Sequence, residues 1–397
     1  MPNYILCDTA DRKYLFPFTH TRPIADCRVG ILTIREKWAF WLGQPSSTLT
    51  ESYLAAGYPL EMGDDNIWIN GSLLPDGELA GRIKQLRPGE RLVQGERWLA
   101  ARMPEKWSEA GLQRLTAVTY TGAVLRLTRP EHIFQWNEAA LRADFDLLTR
   151  GRVSRPADAS CQLNGEAVFI EEGAVVRNCV LNAEAGPIYI GKNVQVMEGS
   201  LIRGPFAAGE NAVVKMGARL YGATTLGPCC VAGGEIKNSV FFGYSNKAHD
   251  GYLGDAVIGE WCNLGAGTTC SNLKNSAAPV NIWSEAEEGF YAAGEKCGTL
   301  MGDYSRTGIG ALLNTGTVIG VSCNLYGGAL FPRYIPGFLW GGEERWAEYI
   351  PGKAVAHAGN WMRLKNKEIT KAEKQILQKI FEGTAAARQQ FLNTYPK

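Results

Sequence analysis

From residue 190 onward, apolar side chains recur every six positions: Ile190, Val196, Ile202, Ala208, Val214, Leu220 and Leu226. Four residues after each stands Val194, Ser200, Phe206, Ala212, Ala218, Thr224 or Cys230, nearly all of them small. The frame returns at Ile258, Leu264 and Cys270. It returns again at Met301, Thr307, Leu313, Ile319 and Leu325, with Ser305, Ala311, Thr317, Cys323 and Ala329 as partners. A helix repeats at about 3.6 residues and a half-buried strand at about two, so neither carries this period. Six residues suffice for one short strand and one corner, and three such units close one coil of a parallel β-solenoid. The apolar series then stacks inside the coil, the small residues fit its corners, and glycine takes backbone conformations that a Cβ forbids. The pattern predicts a solenoid over residues 153–330.

The flanks read differently. Residues 1–129 mix candidate strands (NYILCD, DNIWIN, LTAVTYTGAV) with a helix near 32–42, which suits a small α/β domain. The stretch PEHIFQWNEAALRADFDLLTRGR opens with Pro130 and carries helical apolar spacing, so residues 130–152 are expected to form a linker helix. In the closing segment, 331–397, the part to residue 364 is rich in Trp, Tyr, Pro and Gly and is expected to be an ordered loop covering apolar surface. Thr370 and Glu373 then make a capping box ahead of Ile376, Leu377, Ile380 and Phe381, which predicts a C-terminal helix.

The six-residue frame breaks where ionisable residues gather. Leu226 and Ile258 are 32 residues apart, two more than five units, which predicts an insertion between coils that carries His249. Residues 234–274 concentrate polar side chains in an otherwise structural array. An imidazole is the side chain best suited to take a proton near neutral pH, and Asp250 and Asp255 could orient it. By itself, His249 reads equally as an exposed loop residue.

Charge and composition narrow the classes. Lys plus Arg is 41 against 40 for Asp plus Glu, and no basic run offers the stripe of cations that nucleic-acid binding needs, so no nucleic-acid partner is expected. No run of eighteen apolar residues exists, and MPNYILCDTADRK has acidic residues where a signal peptide needs an apolar run. The expectation is a cytoplasmic chain without a membrane partner. Ten cysteines lack CxxC spacing and read as reduced thiols, with no metal site indicated.

At this point the spacing becomes specific. Lys237, His249-Asp-Gly-Tyr252-Leu-Gly254-Asp255, Ile258-Gly259, Asn263-Leu-Gly-Ala266-Gly-Thr268 and Asn272 follow one another as K, H-x-x-Y-x-G-D, IG, N-[IL]-G-A-G-T and N. This resembles the acetyltransferase half of the bifunctional N-acetylglucosamine-1-phosphate uridyltransferase/glucosamine-1-phosphate acetyltransferase family. The resemblance implies His249 as general base, Tyr252, Asn263 and Asn272 around the sugar, and Arg219 with Lys237 on its phosphate. Ala266 and Gly327 would meet acetyl-CoA. It implies a left-handed parallel β-helix assembled as a homotrimer with sites between subunits, and Phe241, Phe242 and Trp261 read as stacking residues on its flat faces. The implied activity is an acetyl-CoA-dependent N-acetyltransferase acting on an amino-sugar 1-phosphate in nucleotide-sugar biosynthesis. Acyl transfer of this kind needs a base and fixed N–H donors, without a metal. After Asn272 the pattern departs from the bacterial enzyme, reading Leu273-Lys274-Asn275, closer to archaeal sugar-1-phosphate enzymes that carry two activities. An aromatic insertion follows over residues 275–298.

The N-terminal segment LFPFTHTRPIADCRVGILTIREKW resembles the sugar nucleotidyltransferase-like proteins of Bacteroidetes, in which RPxxDxRxGxxTIxEKW precedes the same solenoid. It keeps Arg22, Arg28 and Lys37 as possible nucleotide-phosphate contacts but has no glycine-rich loop. Asn70 stands where such domains have a metal-binding aspartate, and an amide is a poor magnesium ligand. Mg2+ enters only if this reduced nucleotidyltransferase-like domain is active. A sugar-1-phosphate nucleotidyltransferase and a non-catalytic binding protein are therefore the alternatives.

Overall fold

The computed structural model describes residues 2–395, which fall into two compact units. One comprises residues 2–15, 22–27 and 32–129, and the other 16–21, 28–31 and 130–395. The first is built on a six-stranded mixed sheet in the order Ser47–Leu49, Asn3–Cys7, Asn66–Asn70, Arg97–Arg102, Glu90–Gln94, Thr116–Thr119. The first three strands run parallel and Arg97–Arg102 is antiparallel to Asn66–Asn70. The expected helix spans Ile34–Leu42. It starts at a capping box in which the Thr33 hydroxyl accepts from the Glu36 amide and the Glu36 carboxylate accepts from the Thr33 amide.

The second unit is the parallel solenoid. Face one stacks strands from Val168–Ile170 to Tyr334–Ile335, face two from Val175–Val176 to Leu339–Gly342, and face three from Gln162–Asn164 to Tyr252–Gly254. Face three continues through Thr269–Cys270 and Leu312–Leu313. Each coil takes one strand from each face, so Ile190, Val196 and Ile202 point inward from three successive strands. All seven residues of the first apolar series are in the core, and the residues four places on are buried too. At the corner between faces one and two, Asn193, Asn211, Cys229, Tyr244, Trp261, Tyr304 and Ser322 adopt left-handed backbone conformations, one per coil.

The break in the period is a shortening, not an insertion. Leu226 pairs with Phe241 and Phe241 with Ile258, so two coils of 15 and 17 residues replace two of 18. Four residues separate the strands at the corner Lys215–Ala218, but only Gly233 and Gly234 separate Val231–Ala232 from Glu235–Lys237. The true insertion lies later. The coil from Ile258 to Met301 carries 25 residues more than an 18-residue turn, folded in part as an antiparallel hairpin, Val280–Ser284 with Gly289–Gly294.

The expected linker helix is Asn137–Thr149, preceded by the short helix His132–Gln135. It is tied to face one: Asn137 Nδ2 donates to the Ala223 carbonyl at 2.7 Å and to Thr225 Oγ1 at 3.1 Å. Residues 28–31 join the same layer. The Gly30 amide donates to Asn137 Oδ1 and the Ile31 amide to Asp144 Oδ2.

Residues 331–364 depart from the expected loop. They hold strands Leu339–Gly342 and Trp346–Glu348 and a helix, Pro351–Arg363. Its buried side is Ala354, Ala358, Gly359 and Met362, three of the four too small to mark an apolar stripe in the sequence. The capping-box helix follows as Lys371–Gly383, and a last helix spans Ala385–Thr394.

Candidate functional site

Face three gathers the residues expected to hold a sugar phosphate. The strands Arg219–Tyr221, Glu235–Lys237 and Tyr252–Gly254 are in register, so Arg219, Glu235 and Tyr252 form one row and Tyr221, Lys237 and Gly254 the next. Arg219 Nε lies 3.8 Å from Glu235 Oε2, and the Tyr221 hydroxyl donates to Glu235 Oε1 at 2.7 Å. The Lys237 ammonium stands 5.8 Å from the Tyr221 ring centre. Above these residues Val180, Asn182, Leu201 and Arg203 line a depression of about 450 Å³ together with Arg219 and Tyr221.

Glycine at 254 makes room for the next contact: a Cβ there would lie 2.3 Å from the Tyr252 hydroxyl and 2.9 Å from Asn272 Nδ2. Asn272 Nδ2 also donates to Asp255 Oδ2 at 2.5 Å, and Asn238 Nδ2 to Asp255 Oδ1 at 2.6 Å. Asp255 is therefore spent on Asn272 and Asn238 rather than on orienting His249. Burial, then the Asp255 and Glu235 charges, push the Tyr252 phenol well above its ordinary range, so it stays a neutral hydrogen-bonding group.

His249 is exposed in the four-residue corner between Asn246–Lys247 on face two and Tyr252–Gly254 on face three. The corner before it is the shortened one. Gly234 has φ +71°, and a Cβ there would meet the His249 carbonyl and the Asp250 Cα at 2.9 Å, so the His249 turn rests directly on Gly234. The same corner of the following coils holds Ala266, then Ile309, then Gly327. The Gly267 amide donates to the Asp250 carbonyl at 3.1 Å, and the Gly310 amide to the Ala266 carbonyl at 2.8 Å. Ile309 is 82% exposed between the two positions expected to meet acetyl-CoA, an apolar side chain that the six-residue pattern does not single out.

Asn263 does not join this group. It stands on face two, in register with Asn246 and Arg306, and Arg306 is in register with Asn324. Residues of the closing segment reach that face: Lys365 Nζ donates to Asn246 Oδ1 at 3.0 Å, and the Arg306 guanidinium lies 5.5 Å from the Trp361 ring centre. Phe241, Phe242 and Trp261 are not exposed stacking residues. Phe241 is in the core, Phe242 packs on Phe18 at 5.3 Å, and Trp261 stacks on Tyr244 at 4.2 Å.

In the first unit the expected phosphate contacts are buried. Arg22 and Lys37 are 4% and 3% exposed. Arg28, which belongs to the solenoid unit, donates Nε to the Phe242 carbonyl at 2.9 Å and Nη1 to the Ile31 carbonyl, a structural use of the motif arginine. Asn70 Oδ1 accepts from the Ser72 amide at 3.0 Å and from its hydroxyl at 2.7 Å. Asp8, at the end of the strand Asn3–Cys7, accepts from the Ile24 amide and the Thr50 hydroxyl, and burial raises its carboxyl to about 6. Among the described residues no three His, Cys, Asp or Glu side chains converge as metal ligands. With Asn70 committed to Ser72, and Asp8 to the Ile24 amide, the Thr50 hydroxyl and the Arg12 guanidinium, this donor set does not fit magnesium.

Residues 4–153 match the model of the family described as "Sugar nucleotidyl transferase". The archaeal relatives combine two activities by name. The chain is 35% identical over 103 residues to "Bifunctional protein GlmU" of Methanocaldococcus jannaschii, covering 25% of this chain and 24% of that protein. It is 34% identical over 99 residues to "Bifunctional sugar-1-phosphate nucleotidylyltransferase/acetyltransferase" of Sulfurisphaera tokodaii, again 25% and 24% of the two chains. The match thus spans about a quarter of the length of these curated relatives. Among solved structures, the polySia specific acetyltransferase NeuO matches 48% of this chain and 86% of its own at 12% identity and a TM-score of 0.21. No helix among the described residues is long and apolar enough to cross a membrane.

Proposed function

We propose that the solenoid is an N-acetyltransferase that uses acetyl-CoA and an amino-sugar 1-phosphate. One observation carries this reading: Arg219, Lys237 and Tyr252 share face three, Asn272 just beyond its strand Thr269–Cys270 reaches Asp255 beside them, and His249 stands at the corner from which that face begins. Two cations on a half-exposed surface suit a phosphate, and neutral Tyr252 with Asn272 offers hydroxyl and amide groups to a sugar ring. In the reaction the sugar amine attacks the thioester carbonyl. The new C–N bond forms, the amine proton passes to the exposed His249 imidazole, and backbone N–H groups stabilise the oxyanion. The C–S bond then breaks, and the coenzyme A thiolate leaves and takes up the proton. Ala266, Ile309 and Gly327 mark one continuous corner for acetyl-CoA, with Ile309 an apolar contact for its pantetheine arm. Glu235 is part of this surface too, and a phosphate entering must compete with it for Arg219.

The same reading includes a homotrimer. On face three and its continuation Leu201, Leu312 and Leu330 are 49%, 36% and 59% exposed, an apolar fringe beside the candidate site that a second copy would cover. Light scattering at micromolar protein is expected to give three times the 43.4 kDa chain mass. The decisive experiment incubates purified protein with acetyl-CoA and a panel of amino-sugar 1-phosphates and follows thiol release. Turnover with one of them is expected; none with any would reject the reading. The family match of residues 4–153 favours a second reading, nucleotidyl transfer by the first unit. With the donor set at Asn70 and Asp8 as it is, pyrophosphate release from UTP and N-acetylglucosamine 1-phosphate is expected to be negligible.

A further inference from the structure

Lys247 stands where the solenoid should hold an apolar side chain. In register it follows Ala232 on the face-two ladder, one residue after the Asn246–Asn263 pair, so its place is in the interior column shared with Val196, Val214 and Leu264. It is 1% exposed. An ammonium in such a column has a large desolvation cost that packing does not return. Its Nζ donates to two carbonyls, that of Gly233 at 3.2 Å and that of His249 at 2.8 Å. These belong to the shortened corner and to the corner that carries the expected base. A methionine would fill the column equally well, so the charge is explained by what it holds.

We infer that Lys247 is a positioning residue for His249, binding the His249 carbonyl from inside the coil and fixing the turn that presents the imidazole. The inference rests on the acetyl-transfer reading for its catalytic consequence, not for its geometry. The charged groups acting on the ammonium are Asp250 in the same turn, which favours the proton, and Arg219 on face three, which opposes it. The His249 imidazole belongs to the turn itself, and the Lys215 side chain flanks Gly233 from the preceding coil. Burial outweighs the Asp250 attraction and lowers the Lys247 ammonium to about 8. The clamp therefore loosens in mildly alkaline solution.

The test compares full-length wild type with Lys247→Met and Lys247→Gln. Histidine-labelled protein gives four ring signals in NMR, with that of His249 identified by its loss in His249→Asn. In wild type the His249 signal is expected to show an inflection near pH 8 as Lys247 loses its proton, and in both variants that inflection disappears. Acetyl transfer at pH 7 is expected to fall 10- to 100-fold in kcat, with acetyl-CoA affinity within twofold of wild type. A His249 ring signal whose pH response is the same in either variant as in wild type overturns the inference, whatever the rates. So does a Lys247→Met protein that fails to fold, since the lysine would then be needed for packing. If the signals behave as expected but wild type acetylates no amino sugar, the acetyl-transfer reading fails and the positioning role stands.

Discussion

Faces two and three of the solenoid are built on the same interior code and differ in what stands on their outer sides. On face two the outward column is Asn246, Asn263, Arg306 and Asn324, with Lys365 bonded to Asn246 and Trp361 over Arg306. The Arg306 guanidinium is buried there, and burial lowers its affinity for the proton. On face three the outward side chains are Arg219, Glu235 and Tyr252 in one column and Lys237 in the next, all at least partly exposed, beside exposed leucines. The inward residues decide that a strand forms; what packs outside decides whether a polar side chain is a structural contact or a free functional group. Asn263 and Tyr252 satisfy the family spacing equally well, yet they occupy different surfaces of the same chain.

The sharpest break of this comparison is at the corner that leads onto face three. His249→Asn keeps size and polarity but removes the proton acceptor, so kcat for acetyl transfer should fall by about 10²- to 10⁴-fold with substrate affinity and melting temperature nearly unchanged. Near-full activity in that variant would sink the assigned role of His249 even if the substrate is right.

Next come the cations. Arg219→Ala or Lys237→Ala should raise KM for the sugar phosphate about tenfold, and the double variant more, since both are partly exposed and Arg219 already has a carboxylate neighbour. Acetyl-CoA affinity should not move. Asn263→Ala, on the other face, should change KM for the sugar less than threefold in measurements on the same preparation. Equal effects from Asn263 and Lys237 would erase the distinction between the faces.

How much of this was legible in the residues follows from the physics of each part. The interior series Ile190 to Leu226 was readable because close packing inside a coil admits one kind of side chain at one interval. The capping boxes at Thr33 and Thr370 were readable because they are local. The short corner at Gly233–Gly234 was not, because a deletion of four residues across two coils and an insertion of two across five units leave the same count in sequence. The helix Pro351–Arg363 hid behind alanines. Arg28 looked like a phosphate ligand because an arginine spent on backbone carbonyls and one left free for an anion are the same letter. Lys247 escaped notice because nothing local separates an inward lysine from an outward one until the register with Ala232 is known.

That lysine gives the third prediction, which sets the inside of the coil against its surface. In the unfolded chain its proton leaves near 10.5 and in the fold near 8, so between those values the unfolded state holds more protons and stability rises with pH. Below pH 8 the burial penalty is present in full. Lys247→Met should therefore be more stable than wild type at pH 7, by on the order of 2 kcal/mol, and the gain should shrink toward pH 10.5. Denaturant midpoints at pH 7 and 10 measure it, and a variant less stable than wild type at pH 7 contradicts the account of the buried charge.

The smallest effect concerns Glu235, the one carboxylate in the proposed phosphate-binding row. Its Oε2 sits 3.8 Å from Arg219 Nε, and both groups are partly exposed, so the pair adds little stability. A phosphate approaching Arg219 and Lys237 meets this negative charge first, and the two cations must turn from it to the ligand. Glu235→Gln keeps an oxygen to accept from the Tyr221 hydroxyl, as Oε1 does at 2.7 Å, while removing the charge. Binding of an amino-sugar 1-phosphate should then tighten by about two- to fivefold at low salt, and the gain should fade as ionic strength rises and screening shortens the reach of the charge. The unphosphorylated amino sugar should bind as before. Calorimetric titration of both ligands into both proteins decides the matter: equal tightening for the two would mean that Glu235 faces the sugar rather than its phosphate, and weaker binding of the phosphate would mean that Arg219 needs Glu235 to hold its guanidinium in place.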